Sequence, residues 1–232
     1  MDEKDIKQGT NKEIEDLNQD TEPNDTFNGS YEEIFTMEDI ENRKLHINYE
    51  IDKNVNETVA YHILRYNALD KGLKVKDRLP IRIFINTPGG SMSDGFSLLS
   101  VMRLSKTPIY TITFGYCYSM GFSLFLGGTR RFVSPDSVLM NHPGSISIED
   151  NIDRVIDGLN FIKKQTLRND QFILAQTKMS PKELDKSKRA DVYYFADQAY
   201  RLGIATDIIS KTCDIDEILW GESSWEKIKR TK

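Results

Sequence analysis

Three short stretches of the chain carry residues able to do acyl chemistry. The first is Gly115-Tyr116-Cys117-Tyr118-Ser119-Met120-Gly121, which joins a β-favouring run to a helix-favouring one. A serine at such a junction exposes its hydroxyl, and backbone N–H groups stand unpaired at the helix N-terminus, where they suit a developing oxyanion. The same serine would also serve as an ordinary helix cap, and the segment is not the usual G-x-S-x-G elbow. The second stretch contains one of only three histidines, His46, His62 and His142. His46 falls in a strand candidate and His62 on a helix candidate, with no nucleophile or glycine turn nearby. His142 follows Val138–Asn141 and precedes Pro143-Gly144, at a strand end, where α/β proteins build their sites. The third stretch is Pro88-Gly89-Gly90-Ser91, after the run Ile81–Asn86. Paired glycines let backbone approach a ligand closely and aim N–H groups at it. No lysine follows as a phosphate loop requires, and a plain turn is the alternative.

The elements that must position these groups alternate between strand and helix patterns. Short strands are expected at Lys44–Ile47, Ile81–Ile85, Pro108–Phe114, Arg131–Val133, Val138–Asn141 and Ile204–Ile209, and a sharp turn over Gly115–Met120. Helices are expected over Asn54–Asn67, after the diglycine turn, over Ser119–Leu126, and over 149–177, where Ile152, Val155, Ile156, Leu159 and Ile162 share a face. Ser180-Pro181-Lys182-Glu183 reads as a capping box with proline at the first helical position. Ala196–Leu202 ends on Gly203, a helix stop. Strands alternating with helices imply an α/β domain with a mostly parallel sheet.

Composition bounds the function. The 232 residues suffice for a real core, and 38% hydrophobic with 29% charged residues is an ordinary soluble balance. The net charge of −5 lacks the broad basic footprint of a nucleic-acid binder. Two cysteines, Cys117 and Cys213, are too few for a disulfide scaffold, and with three scattered histidines they form no recognisable metal set, so no cofactor is expected. Cys117, two residues before Ser119, is expected to pack inward rather than act as a nucleophile. No apolar run is long enough to span a bilayer, and the opening MDEKDIKQGT is not a secretory signal; cytoplasm is the expected compartment. Residues 1–30 hold nine acids and three bases, and with so few large apolar residues an acidic, mobile arm is expected over 1–40. A folded α/β domain is expected over 41–210 and a tail over 211–232, packing on the domain or on a neighbouring subunit.

Taken together, strand–PGGS–helix, strand–SMG–helix and strand–His–Pro, in that order, resemble the ClpP family of ATP-dependent Clp proteases. The stretches that carry the likeness are INTPGGSMSDG at 85–95, YSMGFSLFLGG at 118–128, RRFVSPDSVLMNHP at 130–143 and FADQAYRLGIATD at 195–207. The resemblance implies a ClpP/crotonase-like fold with repeated β-β-α units and a protruding handle helix. It implies a serine endopeptidase in which Ser119 is the nucleophile and His142 the general base. The oxyanion hole would be the N–H groups of Gly89 or Gly90 and of Met120. The family's aspartate, counted back without a gap from YYFADQA, falls on Ser187. Asp185 two residues earlier is the preferred carboxylate, Asp191 four residues later the alternative, and absence of any carboxylate the third possibility.

The resemblance also implies seven-membered rings stacked as a tetradecamer through the handle helices, with a substrate peptide lying as an added strand along Gly144–Glu149. It implies unfolded polypeptide substrates delivered by an AAA+ unfoldase of the Clp type, since this chain has no Walker motif, and neither nucleic acid nor membrane as partner. Two competing readings remain: a catalytically weak or inactive ClpP-like subunit with a structural role in a mixed ring, and an acyl-CoA enzyme of the crotonase type, which would need no serine–histidine pair. A membrane serine–lysine peptidase would need a span and a lysine beside Ser119.

Overall fold

Strand runs without polar alternation require cover on both faces, and Ile81–Ile85 (β2) is such a run. In the computed structural model, which describes residues 31–219 apart from Ile146 and Ile148, Ile81, Ile83 and Ile85 are buried in the centre of the protein. The five-stranded sheet has the order β1-β2-β3-β5-β8, all parallel, with β1 at Lys44–Ile47, β3 at Ile109–Thr113, β5 at Arg130–Val133 and β8 at Asp207–Ile208. A second, three-stranded sheet joins Tyr116–Tyr118 (β4), Val138–Asn141 (β6) and Val192–Phe195 (β7). β4 runs parallel to β6, with Tyr118 opposite Met140. β7 runs antiparallel to it, with Asn141 opposite Val192.

Helices cover the sheets where apolar residues recur. Helix α1 spans Tyr31–Glu41; one compact unit ends at Glu38 and the other begins at Asp39. A π-helical turn at Asn56–Ala60 runs into α2, Tyr61–Leu69. Ser91 caps α3, Met92–Leu104, by accepting the Asp94 N–H. Helix α4 is Met120–Phe125, all of it buried. The main core joins β2 to Leu98, Leu99 and Met102 of α3 and to Phe122, Leu124 and Phe125 of α4. A smaller cluster on the other side of the large sheet gathers Ile112, Phe132, Ile209, Cys213 and Ile218.

Helix α5, Ile152–Gln176, starts at the expected region with Asn151 as its cap. Phe172 and Ile173 near its end are buried, whereas Ile152, Ile156, Leu159, Phe161 and Leu167 are exposed. Helix α6, Pro181–Ser187, carries the expected capping box: the Glu183 N–H donates to Ser180 Oγ, and the Ser180 N–H donates to the Glu183 carboxylate. Helix α7 is Ala196–Arg201, and α8, Ile215–Leu219, tucks Ile218 into the smaller cluster. That contact places the described start of the C-terminal segment on the domain; Trp220, Trp225 and residues 1–30 lie outside the described residues.

The structure departs from the expected elements in four places. The turn expected over Gly115–Met120 contains β4, because Thr87 forms a bridge with Cys117: the Thr87 N–H donates to Tyr116 O and the Tyr118 N–H to Thr87 O, both at 3.0 Å. β7 adds a strand where none was expected. The described residues of Gly144–Glu149 are in no strand. Helix α1 occupies residues assigned to a mobile arm.

Candidate active site

Each reactive group stands at the end of a strand in the small sheet. β4 delivers Ser119, whose N–H donates to Met140 O of β6 at 2.9 Å. Its backbone is left-handed, φ 56° and ψ −122°, a conformation that strains a residue with a Cβ by about 1–3 kcal/mol and concentrates at functional sites. The turn that forces it also lifts the hydroxyl off the helix: Ser119 makes no side-chain cap on α4. Instead Oγ lies 2.7 Å from Nε2 of His142, the first residue after β6. With the ring proton on Nδ1, Ser119 O–H donates to Nε2, the arrangement a general base needs.

Behind the ring, Nδ1 of His142 is 3.5 Å from Oδ1 of Asp191, and that carboxylate is about half exposed (53%). The antiparallel register explains the meeting. Asn141 pairs with Val192, so His142 and Asp191 face each other one step past the ladder. Asp185, the preferred carboxylate of the sequence analysis, is not there. It is on the exposed side of α6, where its Oδ1 pairs with Lys188 Nζ at 3.0 Å. Lys188 also reaches Asp170 of α5 at 3.1 Å, and these two carboxylates, Asp185 foremost, raise the affinity of the ammonium for its proton. Ser187, the position reached by gap-free counting, is buried. Its hydroxyl donates to Leu184 O at 2.7 Å and accepts the Asn141 Nδ2–H at 2.8 Å.

The diglycine turn approaches Ser119 from the loop after β2. Gly89 has φ 104°, and a Cβ there would come within 2.6 Å of Ser119 Cβ, so only glycine fits so close to the serine. Gly90 has φ 141°, and its added Cβ would meet Ile51 O at 2.3 Å. Their amides differ. The Gly89 N–H donates to Thr87 Oγ1 at 3.2 Å. Among the described residues, neither the Gly90 nor the Met120 N–H donates a hydrogen bond, and both residues line the cleft with Ser119 and His142. Of the two expected glycine donors, the geometry therefore favours Gly90, paired with Met120.

The cleft holds about 550 Å³, and Thr166 and Asn169 of α5 line it together with Ser119 and His142. Cys117, by contrast, is the fully buried central residue of β4, and burial pushes its thiol up to about 12. Among the described residues no group of histidine, cysteine and carboxylate side chains could hold a metal, and no helix is long and apolar enough to cross a membrane.

One contributor was not singled out in the sequence. Thr87, fully buried, donates its hydroxyl to Tyr49 O and accepts the Gly89 N–H, fixing the diglycine turn. Its signal was only a β-branched hydroxyl between a strand and a proline. Asp191 was the alternative rather than the preferred carboxylate, and the signal in its favour is that VLMNH and DVYYF pair as antiparallel neighbours.

A hydroxyl hydrogen-bonded to an imidazole, with two open amides beside it, is an arrangement for acyl transfer. Comparison with known proteins gives the same direction. The chain is 27% identical over 143 residues to ATP-dependent Clp protease proteolytic subunit 3 of Streptomyces coelicolor, a match spanning 60% of this chain and 64% of that one. It is 25% identical over 178 residues to proteolytic subunit 2 of Thermobifida fusca, covering 75% of this chain and 83% of the relative. The corresponding figures for proteolytic subunit 2 of Treponema pallidum are 23% over 188 residues, 80% and 92%. The Clp protease family profile matches residues 27–212, which takes in the diglycine turn, Ser119, His142 and Asp191 alike, and the chain belongs to the Clp protease family.

Proposed function

We propose that this chain is a ClpP-type serine endopeptidase that hydrolyses peptide bonds of unfolded polypeptides. The observation that carries the reading is the 2.7 Å approach of Ser119 Oγ to His142 Nε2 beside the Gly90 and Met120 amides. In the reaction, Ser119 Oγ attacks the scissile carbonyl carbon while Nε2 takes the hydroxyl proton. The Gly90 and Met120 N–H groups hold the resulting oxyanion. His142 then gives its proton to the leaving amine as the C–N bond breaks, leaving an acyl-serine ester. Water repeats the sequence, with Nε2 as base, and releases the acid. Asp191, rather than Asp185, faces the imidazolium that forms in each half.

Assembly belongs to the same reading. The exposed apolar residues along α5 suit a handle packed against other copies in a stacked ring. The relatives are named as ATP-dependent proteases, and the sequence contains no Walker motif, so ATP would be used by an unfoldase partner.

A fluorophosphonate probe tests the proposal. It should label wild-type protein at Ser119, and Ser119→Ala should lose both labelling and hydrolysis of a fluorogenic peptide while keeping its assembly size. Full turnover in Ser119→Ala overturns the mechanism. An unlabelled wild-type ring supports instead a catalytically silent structural subunit, a reading to which the half-exposed Asp191 lends some weight.

A further inference from the structure

The carboxylate that faces the base stands one residue past the end of a strand ladder. The β6–β7 ladder stops at Asn141 opposite Val192, and His142 and Asp191 meet one residue beyond it. Ends of ladders open more readily than their centres, and nothing in the backbone pairing itself holds Asp191 at Nδ1. Two side-chain ties reach this end. One is the bridge from the half-exposed Lys188 to Asp170 and Asp185, whose lysine end water and salt compete for. The other is buried: Asn141 Nδ2 donates to Ser187 Oγ at 2.8 Å, with the two residues 6% and 2% exposed, and Ser187 Oγ donates onward to Leu184 O.

We propose that Asn141 and Ser187 are a positioning pair that holds His142 and Asp191 in register. The inference rests on the reading of His142 as the general base. Asn141 is the residue before His142, and Ser187 is four residues before Asp191. Their bond joins the end of the strand carrying the base to the end of the helix whose following segment carries the carboxylate. A buried hydrogen bond of this kind fixes both chain segments more firmly than an exposed ion pair does. Neither side chain touches the reacting atoms. Both act through the approach of Asp191 to Nδ1, which selects the ring tautomer with a free Nε2. The other charged groups around the ring are Lys188 with its partners Asp170 and Asp185, and Glu50, which lines the same cleft from the loop after β1. None of them changes in the variants below.

The readout is the tautomer of His142, followed by 15N NMR of protein labelled only at histidine. With three histidines, His142→Gln assigns the signal. In the wild type the neutral ring should be protonated chiefly at Nδ1. Ser187→Ala should shift it to a mixture, to the same extent as Asp191→Asn, and Ser187→Thr, which keeps the hydroxyl, should restore the wild-type pattern. In peptide hydrolysis, Ser187→Ala should lower kcat by about ten- to thirtyfold, no more than Asp191→Asn does, with KM within about twofold. In the Asp191→Asn background the same substitution should add less than about twofold. An unchanged tautomer in Ser187→Ala, or losses that multiply independently of Asp191→Asn, overturns the proposal. If Ser187→Ala fails to fold, Asn141→Ala breaks the bond from the other side and is read in the same way. If the wild type hydrolyses nothing, the peptidase reading falls, and the tautomer comparison still decides the positioning role.

Discussion

Exchanging one carboxylate for its amide, at two positions six residues apart, separates the geometry of this site from the expectation drawn from spacing. Asp191→Asn removes the charge 3.5 Å from His142 Nδ1, and Asp185→Asn removes one that pairs with Lys188. Two unit charges at 3.5 Å attract by about 1 kcal/mol in bulk water and about 5 kcal/mol at the effective dielectric of a protein surface. Asp191 is about half exposed, which places its contribution to the imidazolium nearer the watery limit, about 2 kcal/mol. That corresponds to about a 30-fold loss in kcat for Asp191→Asn, with KM for a short peptide little altered. The amide also offers Nδ1 a donor where a carboxylate offers only acceptors, so the loss should sit in turnover rather than in binding. Asp185→Asn should stay within about twofold of wild type, because it disturbs only an exposed ion pair. The assay is steady-state hydrolysis of a fluorogenic peptide, with fluorophosphonate labelling rates on the same preparations. Wild-type turnover in Asp191→Asn, or a comparable loss in Asp185→Asn, refutes the assignment.

Two further outcomes lie outside the site. Asp70 is buried, takes two hydrogen bonds at 2.7 Å from Arg43 and a third from Thr107, and the Arg43 contact foremost holds its carboxyl below the usual carboxylate range. A pKa depressed by folding adds stability above the unfolded value, about 3.9, and that stability disappears as pH falls through the folded value. Asp70→Asn should therefore cost about 3 kcal/mol in urea unfolding at neutral pH, with the gap to wild type closing below about pH 4; a gap that persists there contradicts the sign. Cys117, fully buried with its thiol pushed up to about 12, and Cys213, pushed up to about 11 mainly by burial, should resist iodoacetamide in the native state and react in denaturant, as counted by mass spectrometry. Rapid native labelling of Cys117 would contradict its burial within β4.

Local chemistry made much of the architecture readable from the residues. IRIFI declared a strand covered on both faces, and Ser180–Glu183 declared a helix start because its hydrogen bonds are made within four residues. Ser119 and His142 were legible because a strand end and a small-residue turn are themselves local patterns. The carboxylate was not, because it depends on a pairing between segments some fifty residues apart. Counting along the sequence placed the search on α6, where Asp185 faces Lys188, whereas the cross-strand partner of His142 lies just before β7. β4 was hidden for a related reason. Tyr116–Tyr118 is only three residues long and is a strand by virtue of Thr87 on one side and β6 on the other. The choice between Gly89 and Gly90 turned on which amide Thr87 had already taken, a fact about one hydroxyl's direction.

The small sheet carries Ser119, His142 and Asp191 as if on a single tray, whereas Gly90 belongs to the loop that leaves the large sheet. Any breathing of one sheet against the other moves the tray as a body. It leaves the contacts among the three side chains intact and alters only the gap across which the Gly90 amide must reach. The stitch at Thr87 and Cys117 is what sets that gap. Loosening it would leave a serine still able to lose its proton, facing a carbonyl oxygen with one of its two anchors out of range.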